Sequence, residues 1–83
     1  MWKEKNNVLI KTFKTRNFKE AIALIQLVAF ESEQLNHHPV IHNIYNQTTF
    51  ELTTHDAGNT ITEKDHKLSK AIDKIYQSNF KID

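Results

Sequence analysis

From Val8 to Thr15 the chain is rich in β-branched and aromatic residues, with Leu9, Lys11, Phe13 and Thr15 on one side of an extended segment and Val8, Ile10 and Thr12 on the other. That alternation predicts one long strand or a tight pair. At Asn17 the period changes. Asn17 followed by Glu20 has the form of a capping box, which supplies acceptors to the free amides of a helix start and predicts a helix from Phe18 to about Leu35. On a 3.6-residue period Phe18, Ala21, Ile22, Ile25, Val28 and Ala29 make one broad apolar face, suited to covering a sheet. A second stripe, Ala23, Leu27 and Phe30, falls on roughly the opposite side, where a monomer normally carries charge. Its helical spacing predicts a helix-to-helix contact in a homo-oligomer, the plainer alternative being Phe30 folded beneath a loop.

Pro39 opposes helical geometry at the residue before it, so the helical region is expected to stop there. Val40 to Asn46 and Thr48 to His55 then read as two strands, with a short hairpin turn around Asn46 and Gln47. In the second of these, Phe50, Leu52 and Thr54 share one face while Glu51, Thr53 and His55 share the other. Gly58, the single glycine, is expected at a backbone conformation other residues resist. Thr62 with Asp65 is a second helix start, and Leu68, Ala71, Ile72 and Ile75 give that helix one apolar face. The tail from Gln77 to Asp83 is expected to fray, with Phe80 as a residue able to dock. The order strand, strand, helix, strand, strand, helix predicts an α+β sheet covered by helices on one face.

With 83 residues the chain is read as one domain, 1–83, small enough that oligomerisation is the natural aid to its stability. It has no cysteine, hence no disulfide framework or thiolate metal site. Eleven basic and ten acidic residues leave a formal charge of +1, which gives no field to draw the chain to nucleic acid or anionic lipid. Neither a signal-peptide core nor an apolar run of roughly eighteen residues occurs. A soluble, cytoplasmic protein is expected.

The chemistry is concentrated between Glu33 and Asp65. Glu33 precedes His37 by four positions, close enough to face it if the helix persists through Asn36. A carboxylate and a helix carboxyl terminus both favour a protonated imidazole, which suits His37 to general-acid work. A histidine at a helix end also commonly does no more than cap carbonyls. His55, at the end of a strand and before the Gly58 loop, lies on the kind of rim where ligands bind. Metal binding by His37, His38, His42 and His55 ranks lower, because no helical or strand pair fixes two ligands on one face and Pro39 interrupts the spacing from His38 to His42. His66 belongs to the last helix and is expected in solvent. With no nucleophile elbow, phosphate loop or dinucleotide fingerprint, any chemistry here is expected to be proton transfer.

Taken together, Glu33, His37-His38-Pro39, Tyr45, His55 and Asp65, with Thr53-Thr54-His55-Asp56-Ala57-Gly58 and Thr62-Glu63-Lys64-Asp65 around them, resemble the signature of the pterin-4a-carbinolamine dehydratases, also called 4a-hydroxytetrahydrobiopterin dehydratases. The resemblance covers nearly the whole chain. It implies a four-stranded antiparallel sheet with helices on one side, in the order ββαββα and without the family's usual first helix, since Trp2 resembles the residue that opens the first strand. It implies dehydration of 4a-hydroxytetrahydrobiopterin to the quinonoid dihydropterin in pterin recycling, with no metal and no bound cofactor. By position, His37 and His55 would form the main acid/base pair, with His38 holding the pterin or assisting. Glu33 would tune His37, Asp65 would orient the loop or a histidine, and Thr53 and Thr54 would offer backbone hydrogen bonds to the pterin edge. Dimers that pair into tetramers through the long helix are implied too, in agreement with the Leu27 and Phe30 stripe.

Departures from the family pattern are Val40 and Ile41, where an acidic residue and tryptophan are common, which removes an apolar wall near the pterin site. The loop between His55 and Asp65 is one residue longer than in many members, and Asn36 often is aspartate there. The competing reading is a non-catalytic oligomeric scaffold or protein-binding member of the same fold, which would need the core and the Leu27 and Phe30 stripe but not the histidines.

Overall fold

The structure, a computed structural model, describes residues 1–81. Its first hairpin joins strand β1 (Lys3–Lys5) to strand β2 (Val8–Lys14). Asn6 and Asn7 make the turn with φ of 52° and 63°. Two consecutive left-handed residues match the twist of the flanking strands, and asparagine tolerates that region better than most side chains. The alternating segment is thus a single strand, and its partner precedes it. β1 is three residues long and wholly exposed, so it carries no alternation to read.

Helix α1 (Phe18–Leu35) follows, capped by Asn17 Oδ1, which accepts from the Glu20 amide at 2.8 Å. Its buried residues are Ala21, Leu24, Val28 and Ser32. Ala21 and Val28 come from the first anticipated stripe, whereas Leu24 and Ser32 belonged to neither, so the seam is that stripe rotated towards Leu24. Phe18 and Ile22, expected in the core, sit on one exposed flank, and Leu27 and Phe30 sit on the other. The reason is tertiary: α1 contacts β4 below and α2 alongside, and a helix wedged between two neighbours buries the sector that faces both.

Strand β3 (Val40–Ile44) and strand β4 (Gln47–Leu52) form the second hairpin, turned by Tyr45 and Asn46, with Tyr45 at φ 52°. The turn falls one residue earlier than the sequence suggested. β4 also ends at Leu52, short of His55. All neighbours in the sheet are antiparallel, in the order β1-β2-β4-β3. Leu9 lies opposite Leu52 and Phe13 opposite Thr48, and with Phe50 these residues make the face beneath the helices.

Helix α2 (Glu63–Asn79) completes the α+β fold, burying Leu68 and Ile72 against that face. Trp2 Nε1 and Lys11 Nζ both donate to Asp73, at 3.0 and 2.8 Å, and the Tyr76 hydroxyl donates to the Lys14 carbonyl at 2.6 Å. These bonds fix α2 over β2 and the residue that precedes β1. The helix continues through Asn79 and Phe80 is buried, so Gln77–Phe80 does not fray. Ile82 and Asp83, also assigned to the fraying tail, lie outside the described residues. Among the described residues, no helix is long and apolar enough to cross a membrane.

Candidate active site

The site is made where three element ends meet: the exit of α1, the exit of β4 and the entry of α2. At the exit of α1, Asn36 adopts φ 51°, its amide donates to the Glu33 carbonyl at 3.2 Å, and the His37 amide donates to the Ser32 carbonyl at 3.0 Å. This is the Schellman pattern, which turns the chain sharply off the helix axis. Asn36 stops the helix before Pro39 is reached. That break changes the pairing expected for Glu33. The helical spacing from Glu33 to His37 no longer holds, and Glu33 Oε2 instead meets His38 Nε2 at 2.5 Å. Both of these residues are exposed.

His37 turns the other way. Its Nε2 lies 2.5 Å from Asp65 Oδ1, and Asp65 is completely buried. The second carboxylate oxygen of Asp65 accepts from the Thr62 amide at 2.9 Å and from the Thr54 hydroxyl at 2.7 Å. Thr62 in turn caps α2, its hydroxyl accepting from the Lys64 amide and reaching Thr54 Oγ1 at 2.7 Å. One side chain therefore closes the capping box of α2, anchors the end of β4 and holds the imidazole. Burial pushes the Asp65 carboxyl upward, but the bonds from His37, the Thr62 amide and Thr54 outweigh it and hold the pKa below its usual 3.8. An ionised carboxylate accepts only, so it is His37 Nε2 that carries the donated proton, leaving Nδ1 for other partners.

Beyond β4, Thr54 and Thr60 clamp a loop through two backbone bonds of 2.9 and 3.4 Å. Inside it, His55–Ala57 forms a single 3₁₀ turn, ended by Gly58 at φ 82°, whose amide donates to the His55 carbonyl. The sequence expectation for Gly58 holds. His55 is thus a loop residue rather than the end of a strand, and its Nδ1 lies 2.6 Å from Asn59 Oδ1.

His37, His38 and His55 line one open cleft together with Thr53 and Thr54. Asn36, Asp56 and Lys64 complete its rim. Thr54 commits its hydroxyl to Asp65 and both backbone groups to Thr60, so it builds the wall and is not free to pair along a ligand edge as the sequence suggested. Thr53 donates its hydroxyl to the Asn7 carbonyl. Tyr45 is exposed in the hairpin turn and does not reach the cleft, nor do Val40 and Ile41, which lie on the edge strand β3. His42 pairs with Glu51 at 2.9 Å, and His66 is exposed on α2. Among the described residues no group of three or more histidine or acidic side chains is placed to hold a metal ion. Sequence reasoning missed Asn59 and Lys64. An asparagine directly after the single glycine and four residues from a histidine was the available signal for the first.

The family model described as Pterin 4 alpha carbinolamine dehydratase matches residues 1–75. The chain belongs to that family. A pterin-4a-carbinolamine dehydratase family protein of Chloroflexus aurantiacus, which carries the provisional name pterin-4-alpha-carbinolamine dehydratase, is 49% identical over 74 residues, covering 89% of this chain and 78% of its own length. The crystal structure of a transcriptional coactivator/pterin dehydratase from Brucella melitensis superposes with a TM-score of 0.83 at 30% identity, over 89% of this chain and 80% of that one. A pterin dehydratase-like protein identified as a RuBisCO assembly factor of the alpha-carboxysome shares the fold, with a TM-score of 0.73 at 18% identity over 90% and 86% of the two chains.

Proposed function

We propose that this pterin-4a-carbinolamine dehydratase family member removes water from a 4a-hydroxytetrahydropterin, giving the quinonoid dihydropterin in pterin recycling. The single observation that carries the reading is the convergence of His37, His38 and His55 on one cleft, from segments distant in sequence. The reaction needs a proton delivered to the departing hydroxyl and another taken from the adjacent ring nitrogen. As the C–O bond breaks, the pair left on that nitrogen forms the C=N bond, and the hydroxyl leaves as water. Two imidazoles flanking a flat ring supply both transfers.

His37 is the side chain best supported for one of those transfers. Asp65 holds its ring and balances the charge of the doubly protonated form. His55 faces the same cleft and is the other half of the pair. His38, held by Glu33 at the rim, assists or contacts the pterin. Glu33 thus supports His38 rather than tuning His37. Thr53 and Thr54 shape the wall of the cleft.

The protein acts as a homo-oligomer formed through α1. Leu27 and Phe30 are 37% and 68% exposed, and with Ile75 of α2 they line a groove between the two helices that Glu31, Gln34 and Asn79 complete. That groove is also the observation that favours the second reading, a non-catalytic scaffold or protein-binding module. A scaffold has no use for three imidazoles converging on one cleft, which is why the dehydratase reading leads. The test is the dehydration of freshly generated 4a-hydroxytetrahydrobiopterin followed by ultraviolet absorbance. Acceleration over buffer is expected, and none with folded protein would move the assignment to the scaffold.

A further inference from the structure

We infer that Asn59 is a positioning residue that sets the protonation pattern of the His55 ring, keeping the proton on Nδ1 so that Nε2 is the site's proton acceptor. A carboxamide oxygen only accepts hydrogen bonds, so the 2.6 Å contact from His55 Nδ1 to Asn59 Oδ1 requires the proton to sit on Nδ1. In a neutral imidazole the other nitrogen then carries the free lone pair. Histidine free in water prefers the opposite arrangement, with the proton on Nε2. Asn59 therefore selects the form that the unassisted side chain populates less.

The loop is built to make this contact. Thr54 and Thr60 fix its two ends to each other, and Thr54 is itself bonded to Asp65, so the support of His55 and the support of His37 share one anchor. Within the loop Gly58 and Asn59 take successive left-handed conformations, φ 82° and 58°. These fold the Asn59 side chain back over the 3₁₀ turn onto His55. Asparagine satisfies both demands of the position, tolerance of positive φ and possession of an acceptor. No other side chain bonds to the His55 ring among the described residues, although His37, His38, Asp56 and Lys64 share its cleft.

The consequence rests on the dehydratase reading above: His55 takes the proton from the ring nitrogen, which leaves His37, backed by a carboxylate, to protonate the departing hydroxyl. The two supports differ in charge, and that difference divides acid from base.

The test is to record long-range ¹H–¹⁵N correlations of the imidazole rings in ¹⁵N-histidine-labelled protein, at a pH above their titration, with a His55→Gln variant to assign the signal. In the wild type His55 should show a protonated Nδ1 and a bare Nε2. Asn59→Gly keeps the left-handed backbone and removes the acceptor, so the proton should move to Nε2 and turnover should fall about three- to tenfold. Asn59→Asp restores an acceptor and should restore the Nδ1-protonated signature. A wild-type ring protonated on Nε2, or an Asn59→Gly ring unchanged from wild type, overturns the inference. So does a moved proton with unchanged turnover. The spectra need no substrate, so a wild type with the expected signature but no dehydratase activity would refute the reaction and leave the role of Asn59 in setting the ring standing.

Discussion

His37 and Asp65 are 28 residues apart in sequence, yet Nε2 of the first lies 2.5 Å from Oδ1 of the second. Because the same carboxylate closes the capping box of α2 and takes the Thr54 hydroxyl, the orientation of His37 is tied to the fold itself. Replacing Asp65 by asparagine leaves one acceptor oxygen for three donors. The expected loss is about 1–3 kcal/mol of stability, measured by urea unfolding, from donors left unpaired in the interior. Turnover should fall by roughly 10²-fold in the folded variant, the lower range of what a positioned acid contributes. A variant that loses stability but keeps full turnover would separate Asp65 from the chemistry.

The Asp65 carboxyl also makes stability depend on pH. Its folded pKa lies below 3.8. As pH falls, the unfolded chain therefore binds the proton first, and stability drops. The contribution of Asp65 is complete above about pH 4 and disappears as pH passes below the folded value. Urea midpoints of the wild type and Asp65→Asn, taken from pH 6 to pH 3, should draw closer as pH falls. A gap constant across that range would contradict the ionised, multiply bonded carboxylate.

The sequence already held most of the frame. The Asn17 and Thr62 caps, the buried Phe50-Leu52-Thr54 face and the special conformation of Gly58 are local patterns, and each is found where the pattern places it. What differs depends on neighbouring elements or on where the helix breaks. The seam of α1 keeps Ala21 and Val28 of the expected face but takes in Leu24 and leaves Phe18 and Ile22 exposed, because α2 and β4 both press on it and neither is visible in the helix's own periodicity. Glu33 was matched to His37 by helical spacing, but the left-handed Asn36 broke that spacing and exchanged the partners. The three histidines were legible from the family signature, whereas the supports that distinguish them, Asp65 for one and Asn59 for another, depend on loop geometry.

Tyr45 belongs to the family signature but stands in the β3–β4 turn at φ 52°, mostly exposed. A residue that favours the left-handed region should be better there. Tyr45→Asn is expected to gain about 0.5–1 kcal/mol in urea unfolding and to leave turnover unchanged. Loss of turnover would show that the turn communicates with the cleft.

The Leu27, Phe30 and Ile75 side of the groove between α1 and α2 makes self-association testable without disturbing the core. Phe30→Lys alters a side chain that is 68% exposed, so the fold should persist while the oligomer dissociates. Sedimentation velocity should show a dimer or tetramer for the wild type and a smaller species for the variant. A wild type that sediments as a monomer would contradict association through α1.

The most direct measurement compares dehydration of freshly generated 4a-hydroxytetrahydrobiopterin by the wild type and by a His37→Ala, His55→Ala double variant shown to be folded. Acceleration over buffer by the wild type, reduced by at least about 10²-fold in the variant, is the expected result. Equal acceleration by both proteins, or none by folded wild type, would contradict histidine-catalysed dehydration at this cleft.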